Sequence, residues 1–303
     1  MNAPEHLVCP ACLRRGLPGG WLGLARHLTE EAARSDAGHI RWLNQNLTPK
    51  REAAEAIARR LEELYAAPNG VGAWVKQRFI GKFFGTKPHP FVQALQHPSR
   101  AVLLGYVVEH QHFLRQWVRS CAFILARSDD PDVARYEIDN LNTEFGGIGT
   151  SVPAHYELLL RMGEALGVDR TRVLAAAPLP RTRDAISAWD AIARDATWPA
   201  AMAAMHALEL IAHRNLVREG ASVHYFDPSI LEGHEIPDAA KAFLREGYEA
   251  DVGHSELALA LVERTATTAE ARAEVQSTFL RSADLFDDYL MARLERAEEF
   301  EAA

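Results

Sequence analysis

Disulfide chemistry has little to work with in this chain: three cysteines among 303 residues cannot build a disulfide framework. An excess of basic charge is also missing. The formal net charge is −8, and acidic and basic residues are interspersed, so there is no basic stripe for a phosphate backbone. No nucleic-acid partner is expected. The uncharged apolar stretches fall far short of a membrane span, which argues against a membrane partner. The opening residues, MNAPEHLVCPACLRRG, lack the apolar core of a secretory signal, and the chain reads as cytoplasmic. β-Branched residues are sparse, and no run alternates with period two for long. There is no internal repeat and no low-complexity segment. What remains is an ordinary globular composition, 48% hydrophobic and 24% charged, with material for a large core.

The helical period dominates what is there. In TPKREAAEAIARRLEELYAAPNG, Thr48 suits an N-cap and Pro49 the first helical position. Ala54, Ile57, Ala58, Leu61, Leu64 and Tyr65 then share one face. A second break, GTKPHPF, spans Gly85 to Phe91, and the longest helical pattern follows from Ser99 to Arg127. Along it Leu103, Val107, His110, Leu114, Trp117, Cys121 and Ile124 step by four and three. Further helices are expected near 131–145, 153–166, 184–194, 197–219, 238–264 and 268–299. The expected architecture is all-α: about seven core helices over residues 71–303, after an N-terminal helical extension, residues 1–70. In that extension Cys9 and Cys12 form a C-x-x-C, with His27 and His39 further on. A metal or redox role is one reading. The plainer reading, preferred on sequence alone, is a pair of reduced thiols. Cys121 is read as a packing residue.

Several seams are interrupted by ionisable groups. On the 238–264 helix one face reads Ala240, Leu244, Gly247, Asp251, His254, Ala258, Leu261. Asp251 and His254 are three apart and so lie on one side. On the 197–219 helix a face reads Met202, His206, Glu209, His213, Leu216. His155 heads the apolar face of the 153–166 helix, and Glu144 lies just upstream in NLNTEFGGIG. Any one of these groups is most simply a hydrogen-bonded core residue. Together they are harder to dismiss, because an unpaired buried carboxylate costs several kcal/mol. Carboxylates and imidazoles that converge inside a helical bundle can offset that cost by sharing a cation. Oxygen and imidazole donors suit iron or manganese better than structural zinc.

The ordered set Glu144, His155, Glu209, Asp251 and His254 resembles the metal-ligand motif of the haem-oxygenase-like di-iron oxidases, which share the fold of thiaminase II and pyrroloquinoline-quinone synthase. DNLNTEFGG is similar to that family's Asn-Leu-x-x-Glu segment, HYELLLRMGEALGV to its His-led helix, and EGYEADVGH to its final ligand helix. The resemblance covers roughly residues 88–300. One position departs: Gly247 stands where the family's final helix carries its first His. Three readings follow. The site holds one metal, or another His completes it, or it has lost metal chemistry. His206, His213 and His110 are the candidates for completion, and Glu109 with His112 forms a further Glu-x-x-His pair. Gly247 and Gly253 bracket Asp251, and each interior glycine costs a helix about 1 kcal/mol relative to alanine. The stretch 246–255 is therefore expected to unwind easily.

The resemblance implies a non-haem iron oxidase or oxygenase that uses O2. Two Fe(II) ions are expected, one is the depleted case, and manganese is a substitute. Its partners would be a small amine- or amino-acid-like substrate and O2, with an external electron donor and a homodimer as open options. Natural-product biosynthesis is the expected setting. Arg214 and Arg218 are candidate carboxylate clamps, although solvated helix arginines are the plainer reading. Rival readings are a metal-depleted or metal-free member of the same fold, a thiaminase-II-like enzyme with Cys121 as nucleophile, a ferritin-like bundle, and a non-enzymatic interaction protein. Cys121 has no obvious base beside it in sequence.

Overall fold

The structure, a computed structural model, describes residues 4–47, 52–147 and 153–302, apart from the side chains of residues 249–252. The chain starts with a small antiparallel hairpin, β1 (His6–Leu7) and β2 (Leu17–Pro18), whose connection carries Cys9 and Cys12. Two helices follow, α1 (Gly20–Ala33) and α2 (Ala37–Asn46), and then α3 (Ala54–Tyr65). Thr48 and Pro49 lie outside the described residues, and α3 begins at Ala54. Gly23 lets the hairpin close onto α1, because a Cβ there would fall on the Pro18 carbonyl.

The bundle proper runs α4 (Val71–Phe83), α5 (Pro90–Ala94), α6 (Arg100–Arg127), α7 (Pro131–Leu141), α8 (His155–Ala165), α9 (Arg170–Ala175) and α10 (Pro180–Asp195). It ends with α11 (Trp198–His206), α12 (Asp238–Thr265) and α13 (Ala269–Glu301). The starts are written locally. The side chains of Ser99, Asp130 and Thr268 accept from Val102, Asp132 and Ala271 backbone N–H groups, and Pro131 fills the first turn of α7. The long seam read on α6 is almost wholly buried, with Val107, Cys121 and Ile124 at 0% exposure. The expected all-α bundle is what the chain adopts.

Helix α6 and helix α13 form the centre. They cross closely at Gly105, where an added Cβ would collide with the carbonyl of Arg293 and the backbone of Ala297. This approach sets Phe286, Tyr289 and Arg293 of α13 against Tyr106, His110 and Phe113 of α6. Each fully buried aromatic there contributes up to about 3 kcal/mol relative to exposure.

Two elements depart from the expected helices. Helix α7 continues into a π-turn, Asn142–Gly146, closed by Gly147 N–H donating to the Asn142 carbonyl at 2.8 Å. Such a widened turn often marks a functional segment, and here it carries Glu144. The expected 197–219 helix is α-helical only to His206. It then tightens into 3-10 turns, Ala207–Ala212 and Arg214–Glu219, separated by extended backbone at His213. His206 and Glu209 keep a common face, since 3-10 turns eclipse residues three apart. His213 leaves the seam.

Two candidate metal centres

The first centre lies in the N-terminal hairpin and the two helices after it. Cys9 and Cys12 come from the hairpin, His27 from α1 and His39 from α2, and one ligand atom from each lies within 4.8 Å of all the others. Cys9 Sγ is 3.6 Å from His39 Nε2, Cys12 Sγ is 3.5 Å from His27 Nε2, and the two Nε2 atoms are 3.3 Å apart. A tetrahedral zinc with ordinary bond lengths would have sulfur–nitrogen edges of about 3.5–3.6 Å and a nitrogen–nitrogen edge of about 3.3–3.4 Å. The three distances match those edges. Asp36 Oδ1 sits 2.6 Å from His39 Nδ1, which fixes the tautomer that offers Nε2 as a ligand. The Cys12 thiol is pulled down to about 4, first by its hydrogen bond with Cys9 and then by His27 and His39, against the cost of burial. Cys9 keeps the shared proton and is shifted upward, by that same bond and by burial. The two thiols thus stand in a four-donor cluster of metal-binding dimensions. The donors that complete the set, His27 and His39, lie on two helices folded back by the turn at Ser35 (φ 66°), which brings them together in space.

The second centre is a partly open cavity in the bundle. Its volume, as space open to the centres of water-sized molecules, is about 80 Å³. Glu144, His155 and Glu209 line it, as does Gly247. Glu144 and His155 are both buried, and His155 Nδ1 lies 3.0 Å from Glu144 Oε1. Glu144 Oε2 is buried with no hydrogen-bond partner among the described residues. Glu209 is held from behind. Its Oε1 accepts from His206 Nδ1 at 3.1 Å and from Asn140 Nδ2 at 3.4 Å. Phe113, Trp117, Phe243 and Phe286 make much of the remaining wall, which is largely apolar.

His254 faces elsewhere. Its Nε2 lies 3.9 Å from Asp139 Oδ2, in a surface groove with Arg135 and Leu257. The ring of Tyr136 packs between His254 and His206. The side chain of Asp251 lies outside the described residues, although the backbone of α12 is helical there. Of the candidates for a sixth ligand, only His110 lines the cavity. His206 is engaged on both sides, with Nε2 donating to Glu137 Oε1 at 2.9 Å. Burial works against its charge, but Glu137 and then Glu209 hold its pKa up at about 10. Held between the two carboxylates, it positions Glu209. His213 pairs with Glu256, Glu109 is tied to Arg296, and His112 contacts Gln111.

Glu137 was missed in sequence. It is fully buried, and it lies with His206 and Cys121 within 4.8 Å. The signal was present, because Glu137 stands two helical turns before Glu144 on the face Val133, Tyr136, Glu137, Asn140, Glu144. Cys121 therefore does have a base beside it. The thiol is nonetheless at 0% exposure and absent from the cavity wall, and burial followed by Glu137 pushes its pKa well up.

An all-α bundle with an inward-facing carboxylate and imidazole cavity places the molecule among haem-oxygenase-like helical proteins. Residues 74–297 match the TENA/THI-4/PQQC family, and the chain belongs to it. Residues 7–66 match a C2H2 type zinc-finger, in one copy. A TenA homologue from Pseudomonas syringae pv. tomato superposes with a TM-score of 0.56 at 15% identity, over 78% of this chain and 92% of that one. A domain of unknown function with a haem-oxygenase-like fold from Shewanella denitrificans gives 0.53 at 16%, over 80% and 94%. A CADD-like protein of unknown function from Nostoc punctiforme gives 0.54 at 18%, over 76% and 96%. The comparison with curated proteins finds no match. Among the described residues no helix is long and apolar enough to cross a membrane.

Proposed function

We propose that the chain is a non-haem iron, O2-dependent oxidase of a small amine- or amino-acid-like substrate, with a structural zinc in its N-terminal segment. One observation carries the iron reading: Glu144, His155 and Glu209 face a single aromatic-walled cavity, and Glu144 Oε2 is buried there without a partner. Two carboxylates and an imidazole are a donor set that fits iron or manganese. Asp251 and His254 would join them, giving the set Glu144, His155, Glu209, Asp251 and His254. Bound ferrous iron would supply the electrons that activate O2, and O2 would supply the oxidising equivalents. The protein's own contribution is positional. His206 and Asn140 hold Glu209, Glu144 orients His155, and the aromatic wall gives the reacting end apolar surroundings.

For His254 to reach the cavity, α12 must rewind near Gly247 and Gly253. The glycines make that inexpensive. The rival thiol mechanism is disfavoured, because Cys121 does not reach the cavity. The zinc site is of the closed two-sulfur, two-nitrogen type, which stabilises structure and leaves no open position for catalysis.

The test is anaerobic loading with ferrous iron, followed by metal analysis of wild type, Glu144→Gln and Asp251→Ala. One or two irons per chain beyond a single zinc are expected, falling by at least half in either variant. Wild-type protein that retains no iron, or variants that retain as much as wild type, would refute the assignment.

A further inference from the structure

Helix α13 delivers an arginine to the far end of the same cavity. Arg293 is 1% exposed and lines the cavity wall. Its Nη1 donates to the Tyr225 hydroxyl at 2.7 Å, and its Nη2 donates to Tyr289 at 2.7 Å and to His110 Nδ1 at 2.9 Å. The guanidinium carbon stands 4.1 Å from the ring centre of Tyr106 and 4.5 Å from that of Tyr289. Every one of these partners is neutral. Burial pushes the His110 pKa well down, and the Arg293 charge adds to that, so the imidazole accepts without carrying charge. No carboxylate pairs with Arg293 among the described residues. A guanidinium has five donor protons, of which three are engaged here. Its Nε is buried with no partner.

A buried cation with neutral neighbours is costly. Contacts with aromatic faces return only part of that cost. The remaining demand is for an anion, and the free donors belong to a residue that borders an open cavity. At the other end stand Glu144 and His155, reached from His110 through Phe243 in ring-to-ring steps of 5.8 and 6.5 Å. The wall between is apolar and aromatic.

We propose that Arg293 anchors a carboxylate of the cavity's ligand and so sets its direction, with the opposite end presented to Glu144 and His155. The ligand class is a small monocarboxylate with an apolar or aryl body, which narrows the reading above to amino-acid-like substrates and sets simple amines aside. The proposal rests on the functional reading above only in taking this cavity as the substrate site, and it makes no use of the metal.

The test is calorimetric binding to the full-length protein as purified. The probes are straight-chain monocarboxylates from butyrate to decanoate and 3-phenylpropionate, each against its primary amide. At least one acid is expected to bind, at least tenfold more tightly than its amide. Arg293→Met should abolish that preference, and Arg293→Lys should keep part of it. The acid–amide comparison on wild type stands even where a variant fails to fold. Absence of binding by every acid, equal binding of acids and amides, or a preference that survives in folded Arg293→Met would overturn the proposal. Iron content, measured separately, is untouched by any of these outcomes.

Discussion

Removal of the proposed N-terminal zinc should loosen far more than four side chains. Cys9 is at 0% exposure and His39 at 4%, and they stand among Leu7, Leu24, Leu28 and Trp42, all at 0–1%. The segment is also fastened to the bundle. Ser277 of α13 donates to the Val8 carbonyl and shares a hydrogen bond with the Tyr65 hydroxyl. Arg15 pairs with Glu274, and Arg41 with Asp288. A structural zinc present at a thousandfold over its dissociation constant adds about 4 kcal/mol to the folded state. In a domain of this size each kcal/mol moves Tm by roughly 2–4 °C. If the hairpin unfolds together with α13, loss of the metal should lower Tm by roughly 8–16 °C. The assay is metal analysis of the purified chain and calorimetry of wild type, chelator-treated protein and Cys12→Ser. Cys12 is the exposed cysteine of the set, so its loss leaves the packing of Cys9 intact. One zinc per chain, released by chelator with that drop in Tm, is the expected result. A chain that carries no zinc and melts identically in all three states would refute the reasoning.

Two further outcomes follow. Gly247→His places an imidazole on the cavity wall at the position where the resembling family carries one, and it should raise iron affinity at least fivefold in an anaerobic titration. Unchanged affinity would show that position 247 does not face the metal. Hydrogen exchange across residues 246–255 should slow when iron is bound, because ligands on that stretch would tie its winding to the metal. Identical protection with and without iron would reject the linkage.

Much of the bundle was legible because its signals are local. The seam on α6 and the caps at Ser99, Asp130 and Thr268 need only neighbouring residues. Glu144, His155 and Glu209 were readable as charges set into apolar faces, and they line one cavity. What escaped depends on contacts distant in sequence or on hydrogen-bond changes without a compositional mark. The shift from α to 3-10 winding after His206 leaves no trace in ALELIA, yet it sends His213 to Glu256. His27 is fifteen residues from Cys12 and His39 thirty from Cys9, so their meeting is a tertiary event. Arg293 looks in sequence like any arginine of LMARLERAEEF. Only the close crossing at Gly105 reveals it as buried. Arg214, one of the clamps considered from sequence, instead lies over the Tyr248 ring.

The most direct measurement is an anomalous-scattering map from crystals grown anaerobically with ferrous iron, collected at the iron and zinc edges. The account predicts iron density among Glu144, His155 and Glu209, and one separate zinc peak between Cys9, Cys12, His27 and His39. Iron lodged instead beside Cys121, Glu137 and His206, or no iron anywhere in the bundle, would contradict it.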